Sequence, residues 1–91
     1  SVRLLMELGQ VVYSKAGRDS GRYFVVVEIV DDVFVKIADG DLRKIKKPKL
    51  KKIKHLKSNG DKLDKIAEKL IQGAQVFDSE LRSALKAFNE A

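Results

Sequence analysis

The chain has no cysteine and no tryptophan, and only one proline, one histidine and one methionine. Without cysteine there is no disulfide framework, no zinc–thiolate centre and no cysteine nucleophile. That absence fits a reducing compartment, and the expected localisation is cytoplasmic. No apolar run approaches the ~20 residues that a membrane-spanning helix needs. Without bulky Trp or Phe in the basic segment, an interfacial membrane helix is not expected either. Aromatics are scarce, four Phe and two Tyr. Tyr23, Phe24 and Phe34 fall in strand-like runs and are expected in the core, which leaves Tyr13 as the one candidate for stacking on a base.

Catalytic groupings are equally scarce. His55 stands among lysines with no carboxylate placed to make it a general base. Asp31-Asp32 and Asp39-Gly40-Asp41 lack the dozen-residue spacing and terminal Glu of a calcium loop, and read as turns. Ser20 has no base arranged to activate it. The chain is therefore read as a non-enzyme with no metal and no cofactor.

Acid is missing from one long segment. Between Arg43 and Lys57 nine of fifteen residues are basic and none is acidic. Nine of the 19 basic side chains lie there, so the other ten face all 13 acids elsewhere, a net of −3 against +6 for the whole chain. Concentrated positive charge attracts polyanions, nucleic acid above all. Ile45, Leu50, Ile53 and Leu56 within the run are expected to anchor it to a folded body.

The hydrophobic pattern divides the chain. Gln10–Ser14, Tyr23–Val30 and Val33–Ala38 are β-branched and aromatic runs that suit a sheet. Asp31-Asp32 and Asp39-Gly40-Asp41 supply the turns after the second and third runs. A short strand over Leu42–Ile45 and a last one over Leu50–Lys57 complete five. Helix is the alternative from Leu50 onward, since Leu50, Ile53 and Leu56 are spaced by three, but nine crowded cations would repel at helical spacing. Five short strands with tight turns predict a small closed barrel, because closure removes exposed edges.

From Ser58 the period becomes helical. Ser58-Asn59-Gly60-Asp61 reads as a turn with Asp61 as N-cap and as an i,i+4 partner of Lys65. Leu63, Ile66, Ala67, Leu70 and Ile71 make one apolar stripe. Gly73 reads as the stop. A second helix is expected from Asp78 or Ser79, with Leu81, Ala84, Leu85 and Phe88 as its stripe and Phe77 as a staple at its entry. The expected organisation is α+β and mainly β: residues 1–5 a tag or upstream extension before a natural opening at Met6, residues 6–57 the five-stranded barrel, and residues 58–91 an αα-hairpin. The helices are expected to pack on the barrel or on a protein partner.

The most specific motif is Gly17-Arg18-Asp19-Ser20-Gly21-Arg22, between the first two strands. Two glycines four apart permit a sharp loop and close backbone approach. Lys15, Arg18 and Arg22 add cations suited to phosphate. The Gly-Lys-Ser/Thr ending of a P-loop is missing. The stretch from Gly9 to Val26 resembles the KOW motif of several ribosomal proteins and of NusG-type transcription elongation factors. Continued through Ile29-Val30-Asp31 and Ile37-Ala38-Asp39-Gly40, it is similar to the e-type large-subunit ribosomal protein fourteen family of archaea and eukaryotes, and to small bacterial KOW proteins likened to that group. The resemblance covers about Met6 to Leu56. It implies an SH3-like barrel that contacts ribosomal RNA, with Gly17 and Gly21 as the motif glycines and Lys15, Arg18 and Arg22 as its basic loop. The dense lysine run and the two helices are where the chain departs from those relatives.

The candidate RNA-binding residues are accordingly Lys15, Gly17, Arg18, Gly21 and Arg22 of the loop, and Arg43, Lys46, Lys47, Lys49, Lys51, Lys52 and Lys54 of the basic run. The expected partner is RNA, foremost ribosomal RNA, bound by a monomer. A protein-interaction adaptor using the helix pair is the alternative.

Overall fold

The computed structural model describes residues 6–90; the expectation of a tag or extension over residues 1–5 lies outside them. Five strands, β1 (Gln10–Ser14), β2 (Tyr23–Ile29), β3 (Phe34–Ala38), β4 (Lys49–Lys52) and β5 (Leu56–Lys62), are followed by two helices, α1 (Asp64–Gln72) and α2 (Asp78–Asn89). A single 3₁₀ turn, Ile53–His55, links β4 to β5. Among the described residues no helix is long and apolar enough to cross a membrane.

The strands form one antiparallel sheet in the order β4-β3-β2-β1-β5. The expected barrel is wrong: β4 pairs only with β3 and β5 only with β1, so the sheet stays open. Closure is one remedy for free edges, but lysines and bulges are others. Here the edge strand β4 carries Lys49, Lys51 and Lys52, and β5 is irregular in its pairing near Gln10. The 3₁₀ turn also takes three residues out of ladder geometry at the one corner where consecutive edge strands meet.

The expected strand at Leu42–Ile45 does not form either. Two of its four backbone donors, those of Arg43 and Ile45, are taken by side chains. The Asp39 carboxylate accepts from the N–H groups of Asp41 and Arg43 (2.9 and 2.8 Å) and the Asp78 carboxylate from that of Ile45 (2.7 Å). In a strand Arg43 and Ile45 would point their N–H groups to the same neighbour, and held this way both are lost to that ladder. The expected last strand, Leu50–Lys57, is instead β4, the 3₁₀ turn and the start of β5. β5 runs on through the expected turn at Ser58–Asp61 to Lys62. Asp61 therefore lies in a strand and neither caps α1 nor faces Lys65 in a helix; Leu63 stands at the N-cap.

The middle of the sheet is buried on both faces. Val12, Phe24, Val26, Val35, Ile37 and Leu56 form one core with Met6. Val11, Val25 and Ala38 form the other, under Ile66, Leu81 and Leu85 of the helices. Cross-strand partners agree: Val12 faces Phe24 and Val26 faces Ile37 in the first core, while Val11 faces Val25 and Val25 faces Ala38 in the second. This is why Tyr23–Val27 is apolar without alternation. A bulge between Val26 and Glu28 flips the parity of β2 and returns Ile29 to the first core.

Both helices lay their expected stripes on the sheet, with two exceptions. Ile71 is 69% exposed, and the staple residue Phe77 is also exposed. Gly73 ends α1 in the left-handed conformation, its N–H and that of Ala74 reaching back to Leu70 and Lys69. Lys69 and Glu80 join the helices by an ion pair at 2.6 Å. Gly9 has φ of +81°, and a Cβ there would lie 2.5 Å from that of Ala67, so only glycine lets α1 pack against the start of β1.

Candidate nucleic-acid interface

The glycine loop hangs from β1 and β2 by backbone bonds. Ser14 N–H donates to Arg22 C=O and Gly21 N–H to Ser14 C=O, both at 3.0 Å. Gly17 and Gly21 have φ of +85° and +90°, the conformation that glycine permits. The loop is then held from beneath by two residues of the basic run. Asp19 turns inward to 4% exposure, and its carboxylate accepts from Arg43 Nε (3.2 Å) and Nη2 (3.3 Å). Lys51 Nζ donates to Ala16 C=O at 2.7 Å. Lys15, Arg18 and Ser20 are left exposed.

The twelve candidates therefore divide. Arg22 points away from the loop tip to Asp39 (3.3 Å) and Asp41 (3.7 Å), in a mixed-charge hollow beside Arg82 and Lys86 of α2 and Glu90 at its C-cap. Its Nε is buried without a hydrogen-bond partner. Arg43 is bound to Asp19. Lys51 is buried at 7% exposure. These three candidates are held in internal contacts. Lys15, Arg18, Lys46, Lys47, Lys52 and Lys54 are exposed and Lys49 half-buried, and among the described residues none of these seven forms an ion pair.

The inward turn of Lys51 follows from strand geometry. Side chains alternate along β4. Lys51 lies opposite Val35 and Lys49 opposite Ile37, both in the first core. Leu50 and Lys52 take the other face, which leaves Leu50, an expected anchor, 47% exposed. Ile53 and Leu56 do pack into the first core and Ile45 into the second.

The loop and the basic run meet at the 3₁₀ corner. Lys15 N–H donates to His55 C=O at 2.9 Å. A groove there is lined by Lys15, Lys54 and Lys57 over Met6, Ile53 and Leu56. Gln10 also lines it, its amide donating to Ser58 Oγ. Lys57 was not among the candidates; the extension of β5 past Lys57 puts it opposite Tyr13, and no periodicity in the lysine run marks that. Tyr13 itself packs edge-on against Tyr23 at 5.1 Å, which takes up one of its surfaces.

The acidic pairs serve as turns, as their spacing suggested. Asp31 Oδ1 accepts from the N–H groups of Val33 and Phe34, both at 2.8 Å. Those bonds hold its carboxyl below the usual range. Among the described residues there is no cluster of three or more His, Cys, Asp or Glu placed to hold a metal ion. No protein-family model matches the chain.

Proposed function

We propose that the chain binds RNA, chiefly through the phosphate backbone, with the exposed arms of the glycine loop and the lysines of the 3₁₀ corner as the contact surface. One observation carries this reading. Of nine cations between Arg43 and Lys57, among the described residues only Arg43 is ion-paired and only Lys51 is buried; the other seven stand without an acidic partner. The fold sets two of them, Lys54 and Lys57, in one groove with Lys15 of the loop. Unpaired cations carried close together on a folded surface suit a partner whose charge repeats along its length. The resemblance of the loop to the KOW motif favours RNA, and ribosomal RNA first. Structured RNA is met through shape, phosphates and 2′-hydroxyls, which suits a surface poor in exposed aromatics.

The test is filter binding to a structured ribosomal RNA fragment over a range of salt. Engagement of about five phosphates, by Lys15, Arg18, Lys52, Lys54 and Lys57, gives a log–log slope of about −3.5 to −4.5. A flat salt response refutes the electrostatic mechanism. The adaptor alternative draws less support, because Ile66, Leu81 and Leu85 bury the helical stripes on the sheet.

A further inference from the structure

Lys51 differs in kind from the lysines around it. It is more than nine-tenths buried, and its ammonium has one hydrogen-bond partner among the described residues, the Ala16 carbonyl, out of three donors. No carboxylate among those residues pairs with it. A buried charge ordinarily has a counter-charge, since desolvation without one is costly. The one acid of the loop, Asp19, is already engaged by Arg43 through two bonds.

The ammonium also lies directly beneath exposed backbone. A Cβ on Gly17 would stand 2.9 Å from Lys51 Nζ, so the bare Gly17 Cα packs against the charged group. Gly17 is exposed, as are Lys15 and Arg18 beside it. Positive charge thus reaches the surface at a point where no side chain screens it, flanked by two further cations.

We propose that Gly17 and Lys51 form a phosphate subsite, in which the counter-charge of the Lys51 ammonium is supplied from outside by one phosphate group lodged against the glycine loop and flanked by Lys15 and Arg18. The natural ligand, a phosphodiester of RNA, rests on the reading above; the anion chemistry of the subsite does not. Gly17 is required for its positive φ, and a Cβ there would also displace the ammonium from its place under the backbone. Lys51 gives the subsite a fixed charge, whereas the exposed lysines give mobile ones.

The experiment follows the side-chain NH₃⁺ resonances of the full chain by NMR while inorganic phosphate, and separately a short structured RNA, is added. The expected result is a shift of the Lys51 resonance in both titrations. Lys51→Met is expected to weaken RNA binding about tenfold, in line with loss of a charge-assisted contact, and Lys52→Met, one position along, about two- to threefold. A Lys51 resonance that stays put under both ligands overturns the subsite. If RNA then still moves Lys15, Lys54 and Lys57, RNA binding stands without it. A Lys51 shift with free phosphate in a protein that RNA does not perturb supports the subsite and removes the RNA reading. The titrations use the unmodified chain, so they decide the matter even if Lys51→Met fails to fold.

Discussion

Arg43→Ala separates the two roles that the basic run combines. Arg43 opens the run, and by sequence it is one cation among nine. In the fold its guanidinium grips Asp19 at 3.2 and 3.3 Å, with the Asp19 side chain 5% exposed and that of Arg43 32% exposed. Unit charges about 4 Å apart attract by about 4 kcal/mol at an effective dielectric constant of 20. The partial exposure of Arg43 reduces this by roughly half, because water screens its outer face. Removing the guanidinium also leaves a buried carboxylate unpaired, which keeps the loss well above that of a surface pair. The expected cost is about 2 kcal/mol, a fall in Tm of roughly 8–16 °C for a domain of this size. Urea and thermal unfolding measure it, and filter binding is followed at a temperature where the variant remains folded. Lys54→Ala is the counterpart: stability within about 0.5 kcal/mol of the parent, as for an exposed site, with weaker RNA binding and a salt slope shallower by about 0.7–0.9. Pairing Arg43→Ala with Asp19→Ala completes a cycle, and the double variant should lose less than the sum of the singles. An Arg43→Ala protein as stable as the parent, or a cycle with no coupling, refutes the assignment of Arg43 to the interior.

Three further outcomes follow from the same contacts. Gly9→Ala must place a Cβ 2.5 Å from that of Ala67 at a φ of +81°, and is expected to cost about 2–4 kcal/mol in denaturant unfolding. The Glu80 carboxyl is held below its usual range, first by the hydrogen bond from Lys69 and then by that from Phe77 N–H. Its contribution is therefore complete above the ordinary Glu value and lost as pH falls through the lower folded one. Glu80→Gln should flatten that acid limb of the stability profile. Asp31, lowered by the N–H groups of Phe34 and Val33, carries the same sign, and Asp31→Asn should act likewise.

The helices and first three strands were legible because their signals are local. Stripes at helical spacing, Gly73 as a stop and β-branched runs each fix their own element. The open sheet was not, for a reason found in particular residues. Asp39 and Asp78 capture the donors of Asp41, Arg43 and Ile45, and Asp78 does so from 33 residues away. Once that segment is lost to the sheet, the ladder against β3 passes to Lys49–Lys52. The chain then passes from one edge strand to the other through the three residues of the 3₁₀ turn. The spacing of Leu50, Ile53 and Leu56 by three signalled a helix only at Ile53–His55.

The lysine run shows why composition gives a charge but not a site. A segment dense in one residue type carries no internal contrast, so by sequence every lysine in it has equal standing. Strand geometry creates the contrast. Alternation along β4 places Lys51 opposite Val35 and Lys52 opposite Phe34, on opposite faces, so that one becomes an interior cation under the loop and the other a solvated one. Arg43 falls outside any strand and is drawn to the single acid that the glycine loop turns inward. The exposed loop and the basic run are thus not two independent patches: the run supplies the two contacts that hold the loop from beneath, through Asp19 and the Ala16 carbonyl. Loss of charge in the run can therefore act on the loop as well as on a bound polyanion. Only stability measured beside affinity, residue by residue, distinguishes the two effects.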